Sequence, residues 1–241
     1  MASIDNPNWQ IQEHMLQRVA DALGPDLLQE VAFVGGCTTA ALITDGFSLE
    51  SVRYTDDVDV ILHVLGFGDW VQVQAELARR GFRPSPEDDV LCRTRLRAGG
   101  ETELIVDFMP DDEAILGFSN RWYKDALQSA HDYILPSSTV IRVVSPPYFI
   151  GTKLEAYLGR GNGDPLSSRD IEDILNVVDG RDSLLDELSA ADDALRVYIA
   201  HQFAGLLLHS DFEYAVQSTA RNNSQREDLI FKRLEAIARL G

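Results

Sequence analysis

Three aspartates in the first half of the chain could hold a divalent metal ion. Asp57 and Asp59 lie two positions apart in residues 55–62, whose β-branched second half predicts a buried strand. Side chains two apart on a strand project from the same face. Two adjacent carboxylates repel each other unless a cation lies between them, and hard oxygen ligands suit Mg²⁺. Asp107, near the end of a later predicted strand, adds a third carboxylate, although a solvated acidic strand end is the commoner meaning of such a spacing alone.

A pair of glycines precedes these aspartates. Gly35 and Gly36 follow the short apolar run 31–34, and the hydroxyls of Thr38 and Thr39 stand at the start of a predicted helix. Glycines let backbone amides approach a phosphate, and a helix N-terminus favours an anion. A glycine turn is by itself more often only a turn. Its place before a strand with two in-phase aspartates indicates a joint phosphate and metal site.

The elements that must position these residues fall into two groups along the chain. Strand predictions lie before about residue 145, and helix predictions dominate after it. The pattern is typical of an α+β fold, with an α/β core over 1–145 followed by a helical domain over 146–241. In the first half the predicted elements are a helix over 11–23 ended by Gly24 and Pro25, a helix over 69–80 ended by Gly81, a hairpin of 90–98 and 101–109 turning at Gly99 and Gly100, and a strand over 140–144. In the second half they are a helix from 146 through Lys153 and a helix capped by Ser168 and ending at Gly180.

The composition restricts the classes of protein. Lysine and arginine number 21 against 39 aspartates and glutamates, which gives a net charge of −18 and disfavours nonspecific binding to nucleic acid. The 2 cysteines make no disulfide framework. No apolar run approaches the roughly 18 residues of a membrane span, and the first residues have neither a basic nor an apolar signal region, so a cytoplasmic protein without a membrane partner is predicted.

The order of these motifs resembles the nucleotidyltransferase fold of the polymerase β type. More specifically, the chain resembles the AbiEii/AbiGii nucleotidyltransferase toxin family. The segments that carry the resemblance are 33–39 (FVGGCTT), 53–60 (RYTDDVDV), 106–110 (VDFMP), 147–156 (PYFIGTKLEA) with Arg160 and Gly161, and 168–175 (SRDIEDIL) running on to 179–181 (DGR).

The resemblance assigns roles to the residues of the predicted core. Gly35 and Gly36 would contact the phosphates of the nucleotide, while Asp57 and Asp59 would hold Mg²⁺, with Asp107 as a further metal ligand. Twenty residues separate Gly36 from Asp57, more than in the minimal pattern of the superfamily, so residues 45–48 are expected to loop out.

Within the helical half the resemblance singles out one lysine and one aspartate. Lys153 would lie against the triphosphate, and Asp173 would be the later catalytic carboxylate, with Asp170 as the competing choice. The helical domain would thereby complete the nucleotide site. Other interpretations are that Lys153 extends to solvent or pairs with a carboxylate, and that the two aspartates form an ordinary acidic first helical turn.

The activity that the resemblance implies is transfer of a nucleoside monophosphate from an NTP to an acceptor. The implied acceptor is RNA, at the 3′ end of tRNA, and the implied role is that of a toxin with a separate antitoxin protein as partner. A small molecule or a protein side chain is the alternative acceptor, and a non-catalytic nucleotide-binding module is the alternative function.

Three arginines alternate along one predicted strand. Arg93, Arg95 and Arg97 would share a face, where they could receive an RNA backbone or a triphosphate, or could pair with surface acids. The five histidines show no ligand spacing and are interpreted as structural.

Overall fold

The computed structural model describes residues 6–88, 90–97, 102–117 and 119–241, and it confirms the α+β class with a mixed sheet. The chain groups into two compact units. The elements in chain order are α1 (Pro7–Glu30), β1 (Val31–Val34), a 3-10 helix (Gly36–Leu42), α2 (Gly46–Leu49), β2 (Asp57–Leu62), α3 (Phe67–Arg79), β3 (Phe82–Arg83), β4 (Arg93–Leu96), β5 (Leu104–Pro110), α4 (Glu113–Leu116), α5 (Tyr123–Gln128), β6 (His131–Ile134), β7 (Val140–Val143), α6 (Pro146–Arg160), α7 (Arg169–Gly180), α8 (Leu184–Ser189), α9 (Asp193–Leu206), α10 (Ser210–Thr219) and α11 (Ser224–Ala238).

The two units divide the chain in an interleaved way. The sheet unit comprises Pro7–Thr38 and Tyr54–Ser145, and the helical unit comprises Asn6, Thr39–Arg53 and Pro146–Gly241. The segment between the glycine turn and the aspartate strand therefore groups with the C-terminal helices. The functional division at residue 145 stays a prediction.

All seven strands of the sheet belong to the sheet unit, in the order β3-β4-β5-β2-β1-β7-β6. The pairs β1–β7 and β2–β5 are parallel and the remaining neighbours are antiparallel. Central strands are apolar: all four residues of β1 are buried, and Phe108 of β5 packs edge-on against Phe82 of β3 with ring centroids 5.0 Å apart. Burial of this apolar surface is the main stabilising contribution to the sheet.

The strand register places the polar positions of the sheet in a row. Asp59 of β2 is paired with Val34 of β1 on one side and with Asp107 of β5 on the other. Asp107 is in turn paired with Arg93 of β4. Because directly paired residues point to the same face of a sheet, the side chains of these three polar residues are neighbours.

The sheet unit matches most of the sequence-based elements. The predicted hairpin is present as the antiparallel pair β4–β5, while its proposed turn at Gly99 and Gly100 lies outside the described residues. Gly24, with a φ of 67°, interrupts helical geometry inside α1 where the sequence predicted a helix end. Strand β6 was not predicted, because its residues are mostly exposed and lack an apolar alternation.

The helical unit is built around α6 and α7, whose mutual packing is accompanied by contacts of α7 with α2, α10 and α11. Ser168 caps α7 as predicted, accepting a hydrogen bond from the Ile171 backbone N–H at 3.3 Å. At the other end Gly180 allows close approach, since a Cβ there would lie 2.6 Å from Ile43 Cγ2 and 2.7 Å from Ser48 Cβ. Among the described residues no helix is both long and apolar enough to cross a membrane.

Residues 45–48, which are expected to loop out of the core pattern, belong to the helical unit and fold there as the short helix α2. Asp45 caps the short helix α2, accepting from the Ser48 backbone N–H at 3.1 Å, and the Ser48 hydroxyl donates to Asp179 at 2.8 Å. The segment folds because its polar groups find partners at the end of α7. A pattern search along the sequence does not detect such partners more than 130 positions away.

Candidate functional site

The three predicted metal-binding aspartates come together in the sheet unit. One carboxylate oxygen from each of Asp57, Asp59 and Asp107 lies within 4.8 Å of the others. Asp107 is buried and the other two are half-buried. Asp57 also accepts a hydrogen bond from the Thr55 hydroxyl at 2.6 Å, which orients its carboxylate.

The donor set fits a hard divalent cation. It consists of carboxylate oxygens alone, which is the ligand type that Mg²⁺ and similar ions prefer, and three negative charges in so small a volume favour a cation between them. Asp57, Asp59 and Asp107 could therefore bind a metal ion. Their chemistry does not discriminate among hard divalent ions.

Gly35 forms one wall of this acidic cluster. It follows Val34, the register partner of Asp59, and therefore lies beside that carboxylate. A Cβ at position 35 would collide with Asp59 Oδ2 and lie 2.7 Å from Asp59 Cγ, and the φ of +82° also favours glycine. The turn thus keeps the backbone close to the acidic cluster, as required if a phosphate is to approach both.

The hydroxyl residues after the glycines are buried in the 3-10 helix rather than placed at the start of an α-helix. The Thr38 hydroxyl donates to the Gly35 carbonyl oxygen at 2.9 Å and so stabilises the turn. The Thr39 hydroxyl has no hydrogen-bond partner within the described part of the chain. The nucleotide contacts of Gly36, Thr38 and Thr39 stay predictions.

A buried cysteine lies between the glycines and the threonines. Burial raises the pKa of the Cys37 thiol well above its usual range, and the negative charges of Asp59 and Asp57 raise it further. The thiol is therefore protonated at neutral pH and is unsuited to nucleophilic chemistry.

The third carboxylate carries a partner that the sequence did not reveal. Arg93 Nε lies 2.9 Å from Asp107 Oδ1, and Arg93 Nη2 lies 2.8 Å from Oδ2, in a two-point ion pair. These hydrogen bonds to Asp107 raise the pKa of Arg93, and the Asp57 charge adds to the effect. Each carboxylate oxygen has more than one lone-pair direction, so Asp107 can keep this partner and still face a metal ion.

The other two arginines of β4 are paired as well. Arg95 contacts Asp88 and Glu103, each at 2.8 Å, and Arg97 also pairs with Glu103. Of the two interpretations of these arginines, pairing with acidic side chains is therefore the one that the structure shows. Their positive charges are largely compensated by these neighbouring carboxylates.

The lysine and the aspartates predicted in the helical half also come together. Lys153 Nζ, on α6, lies 2.6 Å from Asp173 Oδ2 and 3.1 Å from Asp170 Oδ1, both on α7. All three residues are buried, each less than one-tenth exposed. Two aspartates three positions apart share a face of α7, and this face packs toward α6.

Two arginines complete the network around these buried residues; the Arg53 side chain is 17% exposed and the Arg160 side chain is 71% exposed. Arg53 donates to both oxygens of Asp173, at 3.1 and 2.9 Å, and Arg160 donates to both oxygens of Asp170, at 2.9 Å each. Burial alone would raise the pKa of Asp170, but the Arg160 hydrogen bonds and the charge of Lys153 outweigh it and lower the pKa. Three cations thus face the two buried carboxylates of the helical unit, two of them from within the unit and Arg160 from its surface. We call these five residues the buried ion network.

Arg53 was missed as a member of a site, although it stands in the segment RYTDDVDV. The only sequence signal was its proximity to the aspartate pair. Its partner Asp173 lies 120 positions away and could not be inferred from spacing. The predicted roles of Lys153 at the triphosphate and of Asp173 in catalysis stay predictions.

Comparison with known proteins gives similarity to solved structures but none to sequences. No protein-family model and no curated protein sequence matches the chain. The chain is similar to the crystal structure of an antigenic nucleotidyltransferase-like protein from Paracoccidioides brasiliensis, with 16% sequence identity and a TM-score of 0.48 over 93% of this chain and 92% of that chain. This similarity is too low to support a functional assignment, which must rest on the residues of the chain itself.

Proposed function

We propose that the protein is a metal-dependent nucleotidyltransferase that transfers a nucleoside monophosphate from an NTP to an acceptor hydroxyl. The observation that supports this proposal is the convergence of Asp57, Asp59 and Asp107 beside the glycine turn at Gly35. Carboxylates that gather a cation next to a phosphate-accessible backbone are what phosphoryl chemistry requires.

In the proposed reaction the acceptor oxygen bonds to the α-phosphorus and the bond to the bridging oxygen of the β-phosphate breaks. Pyrophosphate leaves with that electron pair, and the acceptor proton is released. A bound Mg²⁺ would neutralise the triphosphate and favour the attacking oxygen. Asp57 and Asp59 would hold the ion, Asp107 would add its charge, and Arg93 would fix the Asp107 carboxylate.

The identity of the acceptor is a separate part of the proposal. The resemblance to the AbiEii/AbiGii family supports tRNA as acceptor and a toxin role with an antitoxin as partner. The net charge of −18 and the local pairing of the β4 arginines favour instead a cationic small molecule, or a protein side chain. A module that binds nucleotide without catalysis would not need three converging carboxylates.

The experiment that tests the proposal supplies α-labelled ATP, GTP, CTP or UTP, one at a time, with Mg²⁺, total cellular RNA and protein. Asp57→Asn and Asp59→Asn should each abolish labelling, because the neutral amide lacks the negative charge of the carboxylate that would hold the ion. Asp56→Asn is the matched control, since Asp56 is exposed and lies next to the same strand. Activity that survives in both site variants would contradict the assignment.

The labelled product separates the acceptors. Label on tRNA, together with arrested growth of cells that express the active protein, supports the toxin proposal. Label on protein or in a small-molecule fraction keeps the chemistry and changes the acceptor. An absence of label in every fraction, with Mg²⁺-dependent NTP binding retained, would replace the enzyme by a nucleotide-binding module.

A further inference from the structure

The helical unit contains a cavity that the proposed function does not use. Its volume is about 400 Å³, within the range of small-molecule sites. Its lining comes from the residues before and within α7, from α10 and from the segment that carries α2. None of the predicted metal or nucleotide residues lines it. Binding of a ligand in this cavity would therefore not depend on the nucleotidyltransferase assignment.

Hydroxyl groups make much of the lining polar. Ser51, Ser167, Ser218 and Thr219 contribute to it, while Leu175 supplies part of an apolar floor. Serine and threonine hydroxyls can donate or accept, so they adapt to a ligand rich in polar groups. Three of these hydroxyls already have partners in the protein: Ser167 donates to Asp164 at 2.6 Å, Thr219 donates to the Ala215 carbonyl oxygen at 3.1 Å, and Ser51 accepts from Nε of Arg221, a further lining residue, at 2.8 Å. Each hydroxyl oxygen can still accept a hydrogen bond from a ligand.

One buried amide in the lining has no partner. Asn176 is 3% exposed, and its Nδ2 forms no hydrogen bond within the part of the chain that the structure describes. Buried polar side chains in proteins are nearly always hydrogen-bonded, so a lone N–H₂ beside a cavity points to an acceptor atom brought by a ligand or by water.

A carboxylate lies one helical turn before this amide. Glu172 lines the same cavity, with a side chain that is 47% exposed, and its nearest guanidinium atom, Arg53 Nε, is 3.8 Å away. Burial and the adjacent Asp173 charge raise the pKa of Glu172, which indicates that its negative charge is incompletely compensated. Such a carboxylate favours a ligand that donates hydrogen bonds or carries positive charge.

The two groups can act on one ligand because they are four positions apart. Residues at i and i+4 of a helix face the same side, with Cβ atoms roughly 5–6 Å apart. Glu172 would accept from an amino group while the Asn176 amide donates to an acceptor next to it. The two residues together would therefore recognise a ligand whose amino group and hydrogen-bond acceptor lie on adjacent or nearly adjacent atoms.

We propose that this cavity binds a small polar molecule with an amino group next to a hydrogen-bond-accepting oxygen or ring nitrogen, held between Glu172 and Asn176. Two sources supply this chemistry: an aminated nucleoside base and an amino sugar. The surrounding hydroxyls would contact the hydroxyl groups of either.

The test is calorimetric titration of the full chain with two pairs of probes, without NTP or Mg²⁺. Cytidine has an amino group beside an accepting ring nitrogen where uridine has a carbonyl oxygen beside a ring N–H, and glucosamine and glucose differ in the amino group of the sugar. We expect the amino member of one pair to bind at least about tenfold more tightly than its partner, because a hydrogen bond to a charged group is lost in the other. Cytidine selectivity identifies the base, and glucosamine selectivity identifies the sugar.

Two substitutions assign the binding to this cavity. Asn176→Asp replaces the donor by an acceptor of the same shape, and Glu172→Gln replaces the carboxylate by an amide on a half-exposed side chain whose loss does not threaten folding. Each should weaken the selected probe about tenfold or more. The controls Asn162→Asp and Glu213→Gln make the same chemical changes at exposed positions outside the lining and should bind as the wild type does.

Three results would overturn the proposal: equal binding within both probe pairs, no binding of any probe at millimolar concentration, or selective binding that Glu172→Gln leaves intact. Asp57→Asn should retain binding, which separates this cavity from the proposed metal site. Failure of NTP transfer would therefore leave the test of the cavity unaffected.

Discussion

The backbone of Gly35 lies against the carboxylate of Asp59, so closely that any side chain at position 35 would overlap it. The strand register causes this contact, because Val34 is the β1 partner of Asp59 and Gly35 is the next residue along the chain. Gly35 is thus required for two reasons: its φ is positive, and Asp59, a proposed metal ligand, leaves no space for a side chain there.

Gly35→Ala should therefore affect both stability and metal binding. The strained φ should cost about 1–3 kcal/mol in the free energy of unfolding, and the displaced Asp59 should weaken Mg²⁺ binding. Urea unfolding and titration with Mn²⁺ as a spectroscopic probe measure the two effects. Gly68→Ala, in α3 with no neighbour within 4 Å of its added Cβ, should leave metal binding unchanged and should not lower stability. Wild-type metal affinity in Gly35→Ala would contradict the geometry.

Arg93→Met should destabilise the protein. Removal of the guanidinium leaves the buried Asp107 carboxylate without its two-point partner, which costs about 3 kcal/mol or more. Added Mg²⁺ should restore part of this loss, since a ligand that binds the native state stabilises it. Unfolding in urea with and without Mg²⁺ measures both effects.

The control for Arg93→Met is Arg97→Met on the same strand. The Arg97 side chain is 77% exposed, so its loss should change the free energy of unfolding by less than about 1 kcal/mol. An Arg93 variant as stable as the control would show that the Asp107 pair contributes little.

Lys153→Met should destabilise the helical unit by about 3 kcal/mol or more, because it removes the cation shared by two buried carboxylates. Chemical denaturation measures the loss. Lys232→Met on α11 is the matched control in the same unit, since Lys232 is exposed and lies outside the buried ion network. Transfer activity separates two roles. If Lys153 also binds phosphate, Lys153→Met should raise the KM for NTP beyond any effect of lower stability.

Asp170 should contribute a pH dependence to stability. Its pKa is lowered in the folded protein, so its charged form stabilises the fold above the unfolded value of about 3.9, and this contribution is lost as the pH falls through the folded pKa. Asp170→Asn should thus be less stable than the wild type at pH 7 and lose less stability on acidification below about pH 4.

Unfolding free energies of the wild type and of Asp170→Asn, measured in steps of pH, test this expectation. Asp186→Asn, at an exposed position of α8, controls for the loss of one carboxyl group. Parallel pH curves for the wild type and Asp170→Asn would show that the Arg160 and Lys153 contacts do not persist in solution.

Local patterns in the sequence predicted the elements whose cause is local. Asp57 and Asp59 share a face because they are two apart on a strand, and the Ser168 cap and the Gly81 helix end follow from chemistry within a few residues. The convergence of Asp107 with the pair could be expected only from the order of strands and from a family resemblance.

Partners set by strand register or by tertiary packing could not be predicted from spacing. The shared face of Arg93 with Arg95 was evident, but its pairing with Asp107 depends on the β4–β5 register. The contact of Arg53 with Asp173 joins residues 120 positions apart. In both cases the sequence shows a charge, and only the folded chain shows which opposite charge compensates it.

The interleaved division of the chain also sets an order of events during synthesis. Every strand of the sheet unit precedes Ser145, so that unit has all its residues when the chain has reached that point. Thr39–Arg53 must wait longer, because the backbone N–H groups of Thr44 and Asp45 donate to the Gly180 carbonyl oxygen at 2.8 and 3.0 Å. In a growing chain these two N–H groups, in the segment between β1 and β2, thus lack their acceptor until α7 has left the ribosome. A chain stopped at residue 145 would lack that acceptor permanently.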